Sequence, residues 1–283
     1  MPQSLNLPCG PLTYQTSCYG KAIDRIARYV LEQLYQMALQ QEAPCCFNTL
    51  RSIRLISQKY LTIIFELAQT SQINPFSQIR LTETDGLESL EDKPLRVGFF
   101  PISADPLHWG HVLCALCAMA LMKLDKIVFV IAGFDPRKPS LSSVETRHQI
   151  ARDFIGMFDP LFAYLPIARG TDLCGEKNVV RLLNLNPDQN IKAFYIAGTD
   201  HYRRFDGQGE PDTIQKLEAG MSLMGTARSG NHEISALFLP REKTFLVHNV
   251  IDTFLKVHIL PAVPIRCSST EIRNALTRTF RVF

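Results

Sequence analysis

A chain of 283 residues that is 46% hydrophobic and 20% charged is globular and can bury a substantial core, as one large α/β domain or two smaller ones. Its net charge of +3 excludes a protein that coats nucleic acid by charge alone, and leaves room for a local basic pocket for phosphates. The first 20 residues have neither a basic start nor an apolar core, and the longest strongly apolar run, 112–122, is too short to span a bilayer; the expectation is a cytoplasmic protein with no membrane or nucleic-acid partner.

Taken in order, residues 1–20 are rich in Pro, Gly, Ser and Tyr and read as irregular. Over 21–41, Ile23, Ile26, Val30, Leu34 and Met37 recur at helical spacing. Pro44, Cys45 and Cys46 read as a break. Asn48 or Thr49 then caps a second helix over 50–69, with Ile53, Ile56, Tyr60, Ile63 and Ile64 facing inward. The two helices can pair as a hairpin, and their apolar faces allow a homo-oligomer. Residues 70–93 are polar, with a turn signal at Asp85-Gly86, and read as a linker with at most a short helical turn.

Beyond residue 94 strands and helices alternate. Strands are expected at 95–100, 126–133, 161–167, 191–197, 221–224 and 257–260, and helices at 110–123, 144–157, 178–185, 211–219 and 268–276. Such alternation specifies an α/β fold, a Rossmann-like parallel sheet with helices on both faces and right-handed crossovers. In such a sheet ligands bind at the carboxyl ends of the strands, and the chemically interesting residues cluster there. His108 and His111 follow the first strand, three apart on a first helical turn, with Gly110 between them allowing close backbone approach. Arg137 and Lys138 follow the second strand, and Gly198, Thr199 and Asp200 follow the strand at 191–197. Ser268, Ser269 and Thr270 open the last helix with capping hydroxyls and N–H groups suited to an anion, and Arg273 adds a cation one turn in. The eight cysteines are expected as thiols. Cys114 and Cys117 have CxxC spacing inside an apolar helix, with no second pair to complete a site, so neither zinc nor redox chemistry is expected there.

The order of these motifs resembles the nucleotidyltransferase superfamily with an HxGH-type signature, and within it the bacterial nicotinate-nucleotide adenylyltransferases. The carrying residues are Asp105-Pro106-Leu107-His108-Trp109-Gly110-His111, then Ala132-Gly133 with Pro136-Arg137-Lys138. Arg147, Gly198-Thr199-Asp200, Arg228-Ser229-Gly230 and Cys267 through Arg273 complete the set. The resemblance spans roughly 95–280 and implies a nucleotidyltransferase domain over 94–283, preceded by a helical extension and linker over 1–93. One departure stands out: Ile102, Ser103 and Ala104 separate Gly98-Phe99-Phe100-Pro101 from Asp105, lengthening the loop where the family holds the acceptor phosphate.

The resemblance implies transfer of AMP from ATP to nicotinate or nicotinamide mononucleotide, with pyrophosphate released and Mg²⁺ carried by the phosphates rather than by protein side chains. His108, His111, Lys138 and Arg273 would be the catalytic set. Gly110, Gly198, Asp200, Ser268, Ser269 and Thr270 would bind ATP, Asp200 through the ribose. Ser103, Ala104, Asp105, Trp109 and Arg228 would meet the acceptor, where Trp109 and Tyr202 could stack on its ring. Arg147 is expected to order its own loop. Phosphopantetheine as acceptor, CTP as donor, and a nucleotide sensor without turnover remain alternatives. A class I aminoacyl-tRNA synthetase would need a Lys-Met-Ser-Lys-Ser-type loop that this chain lacks.

Overall fold

The continuous apolar strands find the environment they require, burial on both faces of a parallel sheet. The computed structural model describes residues 44–76, 80–82, 86–88, 94–133, 141–165, 178–179, 183, 190–198, 234–239, 256–260 and 269. Its elements are α1 (Pro44–Gln69), β1 (Arg80–Thr82), β2 (Gly86–Glu88), β3 (Leu95–Ile102), α2 (Trp109–Met122), β4 (Lys126–Ile131), α3 (Val144–Gly156), β5 (Phe162–Leu165), β6 (Ile191–Gly198), β7 (Ile234–Leu239) and β8 (Lys256–Ile259). Strands β3 to β8 form one sheet in the order β5-β4-β3-β6-β7-β8, every neighbour parallel. The chain moves outward from β3 through β4 to β5, then returns to the other side of β3 and moves outward through β6 and β7 to β8. This is the Rossmann-like α/β arrangement, and its topological switch point lies between β3 and β6.

Helix α2 is apolar almost all round: Val112, Leu113, Ala115, Leu116, Cys117, Ala118, Met119 and Ala120 are all buried. A helix of that kind must be covered on both sides. The sheet covers one side. Helix α1 covers another, with Ile53, Tyr60, Leu61, Ile64 and Leu67 in the same apolar cluster as α2. The Tyr60 hydroxyl hydrogen-bonds Cys117, and burial pushes both groups above their ordinary pKa. The chain leaving α1 is pinned as well. Asp125 accepts from Asn74 N through Oδ1 at 2.7 Å and from Arg96 N through Oδ2 at 2.8 Å, and Lys123 Nζ donates to Gln72 Oε1 at 2.7 Å.

Three expectations need correction. Helix α1 starts at Pro44, not after it: proline lacks an N–H that the first helical turn would leave unpaired anyway. The expected linker contains a small antiparallel strand pair, β1 with β2, in the register Leu81 to Leu87, where the sequence predicts at most a short helical turn. Strand β7 has no counterpart among the expected strands. The helices expected at 21–41 and 211–219 and the strand at 221–224 lie outside the described residues, as does the helix at 268–276 apart from Ser269, which is helical. No described helix is long and apolar enough to cross a membrane.

Candidate active site

Hydrogen bonding along β3 opens the site. Arg96 O and Ile102 O accept from Asp125 N and Ala132 N on the β4 side, both at 2.9 Å, while Leu95 N donates to Asn190 O on the β6 side. Successive residues of a strand face opposite neighbours, so residues 95, 97, 99 and 101 turn toward β6. Pro101 therefore has no N–H where the β6 ladder would need one. The ladder accordingly stops at Phe99 opposite Tyr195, whereas pairing with β4 continues to Ile102 opposite Ile131. The loop after β3 therefore begins beside the part of β6 that β3 no longer pairs with.

That loop is tightly organised. Ala104 has a φ of 50°, a conformation uncommon outside glycine. The buried carboxylate of Asp105 accepts from Ser142 N at 3.3 Å. Ser269 Oγ donates to Pro106 O at 3.0 Å, across 163 residues of chain, which brings Ser269 to the loop. His108 then caps α2 with an extended backbone. Gly110 N donates to its Nδ1 at 3.1 Å, and His108 N donates to His111 Nδ1 at a longer 3.4 Å. The two histidines thus form a reciprocal capping box, with ring centroids 3.9 Å apart. An Nδ1 that accepts an N–H carries no proton, so each neutral ring holds its proton on Nε2. The cap thus assigns the tautomer of both rings, with the proton on Nε2, at the start of α2 where the helix dipole is positive. Phe100 packs edge-on against His111, centroids 6.1 Å apart.

Behind the loop lies Arg147 of α3, 1% exposed. Its guanidinium donates to four main-chain carbonyls: Nε to Ser142 O at 3.0 Å, Nη1 to Ser103 O at 2.7 Å and Ala132 O at 2.6 Å, and Nη2 to Gly133 O at 2.8 Å. α3 itself begins at a Ser143 cap whose Oγ accepts from Thr146 N at 3.2 Å. Next to Arg147, buried His148 is hydrogen-bonded through Nδ1 to the Tyr164 hydroxyl.

Of the expected site residues, the structure brings Ser103, Ala104, Asp105, His108, Gly110, His111 and Ser269 into one neighbourhood after β3, and Gly198 ends the adjoining strand β6. The indole of Trp109 is buried edge-on against Phe154 and Phe158, centroids 5.5 and 5.9 Å away, and so packs α2 against α3 and the turn that follows it. Lys138, Asp200, Tyr202, Arg228, Ser268, Thr270 and Arg273 lie outside the described residues. Arg147 orders more than its own loop, and Ser142, which receives Arg147 and donates to Asp105, has no signal in the sequence beyond a Ser-Ser pair before a helix.

A family model described as cytidylyltransferase-like matches residues 99–275. The chain belongs to that family, and so to the nucleotidyltransferase superfamily. Among its relatives are proteins called probable nicotinate-nucleotide adenylyltransferases. Those of two Thermus thermophilus strains are 31% and 32% identical to it, each over 64% of this chain and 87% of the relative. One from Clostridium botulinum is 25% identical over 66% of this chain and 88% of its own. The solved nicotinic acid mononucleotide adenylyltransferase of Plasmodium falciparum, complexed with NaAD, overlays with a TM-score of 0.46 at 16% identity, covering 64% of this chain and 83% of that one.

Proposed function

We propose that this chain is a cytoplasmic adenylyltransferase that joins AMP from ATP to nicotinate mononucleotide, or more slowly to its nicotinamide form, releasing pyrophosphate and forming a dinucleotide. The observation that carries this reading is the reciprocal cap of His108 and His111, which sets two Nε2–H donors at a helix start in the crevice of a parallel sheet. Donors fixed in advance in this way suit charge developing on a phosphoryl group. The names of the curated relatives support the choice of acceptor.

In this reaction an oxygen of the acceptor phosphate bonds to the α-phosphorus of ATP while the bond to the leaving pyrophosphate breaks. The attacking oxygen is already anionic, so the protein need only align the two phosphates and stabilise charge. His108 and His111 donate to the ATP phosphates. Lys138 and Arg273 meet the leaving pyrophosphate, and Asp200 accepts from the ribose. Gly110, Gly198, Ser268, Ser269 and Thr270 complete the ATP side. Ser103, Ala104, Asp105, Trp109 and Arg228 form the acceptor side, and Asp105 also ties the loop after β3 to Ser142. Mg²⁺ arriving on the ATP phosphates would supply charge neutralisation.

The purified chain is assayed with ATP and Mg²⁺ against nicotinate mononucleotide, nicotinamide mononucleotide and phosphopantetheine, following both dinucleotide and pyrophosphate. Nicotinate mononucleotide should turn over fastest. No product from either pyridine nucleotide, with robust turnover of another phosphate acceptor, sinks the assigned reaction.

A further inference from the structure

The guanidinium of Arg147 is withdrawn from water and donates to four backbone carbonyls. Burying a guanidinium is costly unless its donors are satisfied, so the location of the accepting carbonyls is informative. Ser103 lies just past β3, one residue before the left-handed Ala104 and five before His108. Ala132 and Gly133 lie just past β4, immediately before the segment that carries Arg137 and Lys138. Nη1 alone bridges the two loops, with Ser103 O at 2.7 Å and Ala132 O at 2.6 Å. Ser142, held by Nε, donates its own N–H to Asp105 at 3.3 Å and so closes a ring back onto the first loop.

We propose that Arg147 is a positioning residue that joins the chain just past β3 to the chain just past β4, so that the loop carrying the histidine pair keeps one fixed relation to the carboxyl end of β4. The proposal rests on the adenylyl-transfer reading above. The planar fork matters: Arg147 bonds four carbonyls from three nitrogens of one rigid group, whereas an ammonium is a single point at the end of a flexible stem. A lysine there would keep the charge and still lose the bridge.

The test uses the full chain and the variants Arg147→Lys and Arg147→Gln, with two readouts. Amide hydrogen exchange without ligand should rise together by about tenfold in 103–108 and 131–133 for both variants while α1 keeps its protection. In turnover, kcat should fall by about 10²-fold and KM should rise for ATP and acceptor alike, because both depend on the same misplaced loops. Exchange rising in only one of the two loops overturns the proposal. So does protection lost across the whole chain in both variants, which would make Arg147 a fold residue only, or Arg147→Lys with wild-type kinetics. If the wild-type chain fails to adenylylate any pyridine mononucleotide, the assigned reaction falls, and the exchange data still decide whether Arg147 couples the loops.

Discussion

Replacing His108 by Asn and by Ala separates the tasks of its two ring nitrogens. Nδ1 accepts from Gly110 N at 3.1 Å and so pairs one of the N–H groups that the start of α2 would otherwise leave exposed. Asparagine places an acceptor near that nitrogen and ranks among the best helix N-caps; alanine has none, and losing such a cap costs about 1 kcal/mol. For a chain of this size that lowers Tm by about 2–4 °C in His108→Ala, and His108→Asn, which keeps a capping acceptor, should melt above His108→Ala. Neither variant retains the Nε2–H, so both should lose about 10²–10³-fold in kcat, the usual contribution of one preorganised donor to a transition-state charge. Thermal unfolding and dinucleotide formation, measured on the same preparations, separate the two effects. Wild-type turnover by His108→Asn would show that Nε2 takes no part in the reaction, and coincident melting of the Ala and Asn variants would show that the cap contributes nothing.

Other perturbations test the frame around the site. Burial lowers the pKa of Lys126 to about 8 despite the nearby Asp159 and Asp125 carboxylates. The unfolded chain therefore binds the extra proton between about pH 8 and 10.5, and stability should rise with pH across that window by at most about 3 kcal/mol. Denaturant titrations of wild type and Lys126→Met isolate this rise as the difference between two curves, because Tyr60 and Cys117, both raised by burial, act in the opposite sense; superimposable pH profiles would remove Lys126 as its source. Deleting residues 1–93 strips Ile53, Leu61, Ile64 and Leu67 from α2, at about 1.5–3 kcal/mol for each buried side chain, so the remainder should aggregate or lose its cooperative melt. A soluble fragment melting like the full chain would contradict that. In Gly98→Ala the new Cβ would lie 2.7 Å from Ile127 Cδ1 and 2.9 Å from both Ile196 Cδ1 and Leu124 Cδ1; since all three are side-chain ends, the cost should be about 1–3 kcal/mol, and an unchanged denaturation midpoint would refute it.

The sequence discloses whatever its side chains announce. Strands β3, β4 and β6 are dense apolar runs, and the Asp105–His111 signature names its residues outright. The bonds that organise the site end on main-chain carbonyls and amides: Ser103 O, Ala132 O, Gly133 O and Ser142 N leave no mark in composition or spacing. The reciprocal cap is hidden for another reason. Histidines three apart signal a shared face, but nothing in the spacing says that each Nδ1 is taken by a backbone N–H. Pro44 reads as a breaker because proline ends a helix everywhere except in its first turn, and the sequence does not mark which turn it occupies. The all-round apolarity of α2 does imply a second cover, and weighing Val112 to Met119 as a cylinder rather than a stripe calls for α1.

The break in the β3–β6 ladder at Pro101 also bears on how fast ligands enter. Two adjacent parallel strands could in principle go on pairing and seal the switch point whenever the cleft is empty, so that each encounter would wait for them to separate. A residue with no N–H on the β6 side removes the bond that would hold such a seal. That rung is withheld by covalent structure, whatever conformation the neighbouring chain adopts. This strand pair then adds no opening step of its own, and an association rate that it does not gate should fall with ionic strength and with solvent viscosity.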